Sequence, residues 1–127
     1  MSTTAIVLNG KNGNVTARIT CPRSPQVYLG MVWRYNSDES PDIKSGNYTN
    51  DEPDVPLGKA AELDGKLFLI EGVIINHNDP LPSPYEIEVT ILQDGRMLKN
   101  EVPSDGGKGS LLDKDIAFVY HFKLSTT

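Results

Sequence analysis

Apart from hydroxyls, the side chains able to attack or exchange protons near neutral pH are few: Cys21, His77 and His121, beside 17 Asp and Glu residues. Nucleophilic chemistry at Cys21 would need a thiolate stabilised by a neighbouring cation or a helix N-terminus. Cys21 instead continues the apolar series Val15, Ala17, Ile19 at period two, which marks it as a small buried hydrophobe. No Gly-x-Ser-x-Gly elbow is present to raise a serine nucleophile. Two histidines and one cysteine cannot close a tetrahedral zinc site without carboxylates, and their spacing fits no zinc pattern. His121 stands between Val119 and Lys123 and reads as a solvated strand residue. His77, in Asn76-His77-Asn78-Asp79-Pro80, reads as a turn residue bonding to nearby backbone.

Carboxylates offer more. Calcium takes six to eight oxygens from side chains and backbone, and loops at one end of a β-domain can gather them. The stretch 37–56 carries Asp38, Glu39, Asp42, Asp51, Glu52 and Asp54 against the single base Lys44. If calcium binds, Asp51, Glu52, Asp54, Asp113 and Asp115 are the expected ligands, although the contiguous EF-hand spacing is missing. A carboxylate pair for glycoside hydrolysis cannot be singled out among so many acids. Sugar or protein recognition would use an exposed aromatic with amide and carboxylate neighbours. Tyr48, in Gly46-Asn47-Tyr48-Thr49-Asn50, is the best placed. The expected ligand- or partner-binding set is therefore Asp42, Tyr48, Asn50, Asp51, Asp54, His77 and Asp79.

Global properties narrow the classes further. A chain of 127 residues fits a single domain, 1–127, with room for a true core. A net charge of −5 with scattered Lys and Arg excludes a nucleic-acid footprint. One cysteine allows no internal disulfide, which favours a reducing compartment. No stretch approaches the roughly 20 apolar residues of a membrane span. The first residues lack the basic and apolar regions of a signal peptide. The default location is cytoplasmic, with leaderless export left open.

The elements that would hold these residues are strands. Apolar and polar residues alternate at period two in 27–35, 85–93 and 116–124. Residues 3–8 and 15–20 read as a hairpin around Asn9-Gly10-Lys11-Asn12-Gly13-Asn14. In 27–35 the set Val27, Leu29, Met31, Trp33 and Tyr35 is expected to face inward. Beyond Asn36 the pattern stops, and 37–56 reads as a long acidic excursion in which Ile43 or Tyr48 marks a short edge strand. Residues 66–76 are apolar almost throughout, as in a central strand covered on both faces, with Gly72 at a bulge or a close backbone approach. Residues 76–84 read as a proline-punctuated loop. Asp94-Gly95 signals a two-residue hairpin turn, and 104–110 a mobile glycine-rich loop. In 116–124, Ile116, Phe118, Tyr120, Phe122 and Leu124 share the inward face.

The expected fold is thus all-β: an antiparallel two-sheet β-sandwich of about seven to nine strands, with immunoglobulin-like, C2-like and jelly-roll topologies unresolved. The expected function is non-catalytic: an interaction module contacting a protein partner, or self-assembling as a homo-oligomer, through its long loops. The alternatives are a calcium- or glycan-binding module using the acidic loop 37–56, and a small hydrolase. No cofactor other than calcium is indicated. Asn14-Val15-Thr16 and Asn47-Tyr48-Thr49 match glycosylation sequons, which matter only to a secreted chain.

Overall fold

The computed structural model describes residues 3–21, 27–36, 40–41, 43–50, 54–75, 81–112 and 114–126. Among these the chain is all-β, with eleven strands: β1 (Thr3–Val7), β2 (Asn14–Thr20), β3 (Val27–Arg34), β4 (Ile43–Thr49), β5 (Val55–Lys59), β6 (Leu67–Ile75), β7 (Ser83–Glu86), β8 (Glu88–Gln93), β9 (Arg96–Glu101), β10 (Lys108–Leu111) and β11 (Ile116–Ser125). They form a five-stranded sheet in the order β1-β11-β6-β3-β4, a four-stranded sheet β5-β2-β8-β9 and a two-stranded ribbon β10-β7. The helix-friendly run after β5 makes one 3-10 turn, Ala60–Glu62. No helix among the described residues is long and apolar enough to cross a membrane.

The alternating residues of both larger sheets meet in one core. Phe118, Tyr120, Phe122 and Leu124 from β11 join Phe68, Ile70 and Ile74 from β6, and Val15, Ala17 and Ile19 from β2 join Val89 and Ile91 from β8. Phe68 stacks on Phe122 with ring centroids 5.1 Å apart. Cys21 is buried in the same cluster, as its place in the β2 series indicates. β6 does lie centrally, between β11 and β3.

Gly72 meets its expectation of close approach rather than of a bulge. It pairs directly with Gly30 of β3, and a Cβ on Gly72 would run into Tyr48 Oη and the Phe118 ring. The two missing side chains open the space into which Tyr48 turns from β4. Its hydroxyl there donates to the Glu71 carbonyl at 2.8 Å.

That arrangement reverses the expected face of β3. Tyr28 and Val32 are the buried residues, whereas Leu29 and Met31 are exposed and Trp33 and Tyr35 half-buried. Hydropathy favours the set of Leu29, Met31, Trp33 and Tyr35, because Gly30 and Arg34 make the other face more mixed, yet the register one residue over is the one observed. The glycine gap chose, because only the Gly30 side leaves room for Tyr48.

Three other expectations change. β1 and β2 do not form a hairpin. β1 pairs in parallel with β11, a departure from an all-antiparallel arrangement, while β2 pairs with β5 and β8 in the other sheet. The connection therefore crosses between sheets, and buried Gln93 holds it: Oε1 accepts from Asn9 N at 2.8 Å, and Nε2 donates to the carbonyls of Asn9 and Asn12 at 3.0 and 2.7 Å. The strand number exceeds nine because β4 and β5 lie within or across the edge of the acidic stretch, and 83–93 divides at Ile87, whose N–H leaves the ladder for Gly107 O. The glycine-rich 104–110 stretch is partly strand, β10 pairing with β7. By contrast, β4 is indeed an edge strand, and Asp94 (φ 49) with Gly95 (φ 79) makes the β8–β9 turn.

Candidate functional site

Of the expected binding set, Tyr48, Asn50 and Asp54 lie among the described residues. Tyr48 is 2 % exposed, and its burial raises the phenol pKa. It is a core residue and presents no ring to a partner. Asn50 closes the end of the β3–β4 ladder: its Oδ1 accepts from Tyr28 N and its own N–H donates to Tyr28 O, both at 3.0 Å. Asp54 is exposed, and its two carboxylate oxygens take Arg18 Nε at 2.9 Å and Nη2 at 2.8 Å. That hydrogen bonding lowers the Asp54 pKa. Asp42, Asp51, Glu52, His77, Asp79 and Asp113 lie outside the described residues. Asp115 is exposed just before β11. Among the described residues no group of three or more His, Cys, Asp or Glu is placed to hold a metal ion.

A different cluster is brought together at the edge of β11. β1 covers this edge from His121 onward, and a bridge from Asp105 covers it at Val119. Between those two covers lies a cavity of about 440 Å³ lined by Thr4, Glu101, Val102, Ser104, Asp105, Val119, Tyr120 and His121. Three chain segments build it: the start of β1, the end of β9 with the turn after it, and the middle of β11. Thr4 Oγ1 donates to Glu101 Oε1 at 2.6 Å and ties the first two segments together.

His121 is the sharpest correction. It is half-buried rather than solvated, and its Nε2 lies 3.1 Å from the Tyr35 hydroxyl. Burial lowers its pKa below the usual 6.5, the amino-terminal charge lowering it further and the Asp105 charge opposing. Its Nδ1 is buried and has no hydrogen-bond partner.

The same is true of Tyr120 Oη on the adjacent residue, which is 5 % exposed. Its pKa is pushed up to about 12, first by burial, with hydrogen bonding to Thr4 opposing and the Glu101 hydrogen bond and charge adding to it. Thr4 and Glu101 both lie close enough to the hydroxyl to influence it through hydrogen bonding. Both atoms, Tyr120 Oη and His121 Nδ1, are buried, so they lie beneath the cavity wall and not on its open surface. Among the described residues that line the cavity, the charged groups are the carboxylates of Glu101 and Asp105.

Thr4, Glu101 and His121 are far apart in the chain, and no local motif links them. The signal available in the sequence was only the adjacency of Tyr120 and His121 in a strand whose alternate residues are core.

The outer face of the five-stranded sheet is a second feature. The cross-strand rows Lys44–Trp33–Leu69–His121 and Asn47–Met31–Glu71–Val119 run over it, followed by Thr49–Leu29–Val73–Ala117. Leu29 and Met31 are 38 % and 36 % exposed, and Trp33 Nε1 donates to Glu71 Oε1 at 2.9 Å. The apolar length of β6 is explained here: its odd residues face this side and its even residues the core.

Comparisons with family models, with characterised proteins and with solved structures found no match to this chain.

Proposed function

We propose that the chain is a non-catalytic binding module, a two-sheet β-sandwich that holds a small polar ligand in the cavity beside β11. The observation that carries this reading is the cavity at the edge of β11, lined by Glu101 and Asp105 together with the polar residues Thr4, Ser104, Tyr120 and His121. A concave site with a few convergent polar groups is the usual form of a ligand pocket. A binding role rather than a hydrolytic one is supported by His121 itself. Its Nε2 is engaged by the Tyr35 hydroxyl, which leaves it poorly placed to activate a nucleophile.

The test is chemical-shift mapping of the ¹⁵N-labelled protein with n-propylamine, 1,3-propanediol, propionate and glucose. Saturable shifts on Thr4, Val102, Ser104, Asp105 and residues 119–121 with any of the four support the reading. Their absence with all four overturns it.

A second reading is self-assembly with another copy of the chain, through the outer sheet face instead of the loops. Leu29 and Met31 on that face are exposed. Glu71 lies at its centre, with Lys44 and Lys123 toward its flanks, so a two-fold pairing can set lysine against carboxylate. Light scattering at high concentration that finds only monomer removes this reading.

A further inference from the structure

We propose that two copies of the chain pair face to face through the outer side of the five-stranded sheet, with Lys123 of each copy set against Glu71 of the other. The inference rests on the self-assembly reading and adds the register of the pairing.

The two outer faces of the sandwich differ in kind. On the four-stranded sheet the outward residues Arg18, Thr20, Glu88, Thr90 and Asn100 are polar, as in a sheet that meets water on one side. On the five-stranded sheet the outward positions of β6 are Leu67, Leu69, Glu71, Val73 and Ile75, the composition of a sheet covered on both sides. Five strands at a spacing of about 4.8 Å and four rows at about 6.8 Å give this face a plan area of about 650 Å². That is of the order of the roughly 800 Å² that each partner contributes to a standard interface.

The charges on the face choose the register. Seen from outside with β6 running upward, the Glu71 carbonyl oxygen points toward β3, since a Cβ on Gly30 would strike it. The chirality of the chain then puts β3 to the right and β11 to the left. Lys123 pairs with Leu67, so it lies two rows below Glu71 and one strand to the left. Lys44 pairs with Trp33, one row below Glu71 and two strands to the right. A two-fold axis that brings Lys123 onto the partner's Glu71 crosses the strands of the two sheets at about −40°, close to the −30° of aligned sheet packing. One that brings Lys44 there crosses them at about −70°, which fits neither the aligned nor the orthogonal class as closely. Packing geometry therefore selects Lys123.

The same axis passes between Leu69 and His121. The two Leu69 side chains then meet near it, and Met31 lies over the partner's Leu67. Val7, 58 % exposed at the β1 edge of this face, is covered by the partner's Val73.

The deciding experiment is sedimentation equilibrium of the parent chain, K123E, E71K and K44E, together with an equimolar mixture of K123E and E71K. The parent should form a dimer. K123E and E71K should each weaken dimerisation by at least about tenfold, because like charges then face each other. The mixture should regain parental association, since a pair made of one copy of each variant again opposes unlike charges at both contacts. K44E should change the dimerisation constant by less than about threefold. Circular dichroism reports whether each variant is folded, and if E71K is not, K123E compared with K44E decides.

A parent chain that stays monomeric at high concentration overturns both this pairing and the self-assembly reading. A parental dimer that K123E leaves intact, or a mixture of folded variants that regains nothing, overturns this register and leaves self-assembly standing.

Discussion

The Tyr35 hydroxyl lies 3.1 Å from His121 Nε2, with the two rings 6.1 Å apart at 50°. The contact joins residues 86 positions apart in the chain. It reaches over β6, from the end of β3 to β11, on the outer side of the sheet. The fold thereby engages one imidazole nitrogen and buries the other.

A first consequence concerns pH. Burial holds the His121 pKa below the usual 6.5. Above 6.5 the imidazole is neutral in both the folded and the unfolded chain and contributes no pH dependence. Between that value and the lower folded midpoint, the unfolded chain takes up a proton that the folded chain refuses. Stability therefore falls with falling pH across this window and levels off below the folded midpoint. Titration of the His121 ring resonances should give a midpoint below 6.5, and urea unfolding of His121→Gln should lack this component.

Gln93 should be the residue on which the crossing between sheets depends. Gln93→Ala removes its bonds to Asn9 and Asn12 and leaves buried backbone groups unpaired, at a cost of about 2–3 kcal/mol. Amide exchange at Asn9 should accelerate beyond what the global loss explains. Gln93→Glu should fail to rescue, because a carboxylate cannot donate to the Asn9 and Asn12 carbonyls.

Tyr48→Phe should cost about 1 kcal/mol by losing the hydrogen bond to Glu71 O. Tyr48→Ala should cost about 3–5 kcal/mol through the cavity it leaves. Neither should alter ligand shifts at the β11 cavity under conditions where the variant remains folded. Denaturant midpoints together with the same titrations check both statements.

Gly30→Ala should destabilise by about 3 kcal/mol, since the new Cβ would be driven into the Glu71 carbonyl oxygen, a backbone atom of the neighbouring strand. Gly109→Ala is the matched control. Its nearest neighbour would be Tyr85 Oη at 3.4 Å, an ordinary contact, so thermal unfolding should shift far less.

The Arg18–Asp54 pair is bidentate yet exposed, with side chains 46 % and 38 % accessible. Arg18→Met should change stability by about 0.5 kcal/mol at most. What contribution exists is present above the usual Asp value of 3.8 and fades as pH falls through the lowered folded value. Unfolding curves at low and high salt near pH 7 should differ little between the variant and the parent.

Much of the scaffold was legible in the chain. In β11 the apolar residues Phe118, Tyr120, Phe122 and Leu124 alternate with more polar ones, so the buried face follows directly, and Asp94-Gly95 announces its turn. In β3 the more apolar set is the exposed one, and the choice fell to packing volume at Gly30 and Gly72. Tyr48 looked exposed because its neighbours are polar, yet only its own alternation within an edge strand mattered. His121 looked solvated because its flanking residues say nothing of Tyr35, which arrives from another strand.

Local alternation and turn chemistry by themselves determined that this protein is all-β, where most strands run, and that Cys21 and the β11 aromatics are core. Those properties depend on neighbours two residues apart and are therefore written locally. Tertiary structure alone decided which sheet receives β1, which face of β3 is buried, and that Thr4, Glu101, Asp105, Tyr120 and His121 surround one cavity. Each of these depends on pairing between distant strands, where the space left by a glycine or the reach of a hydroxyl can override what hydropathy favours.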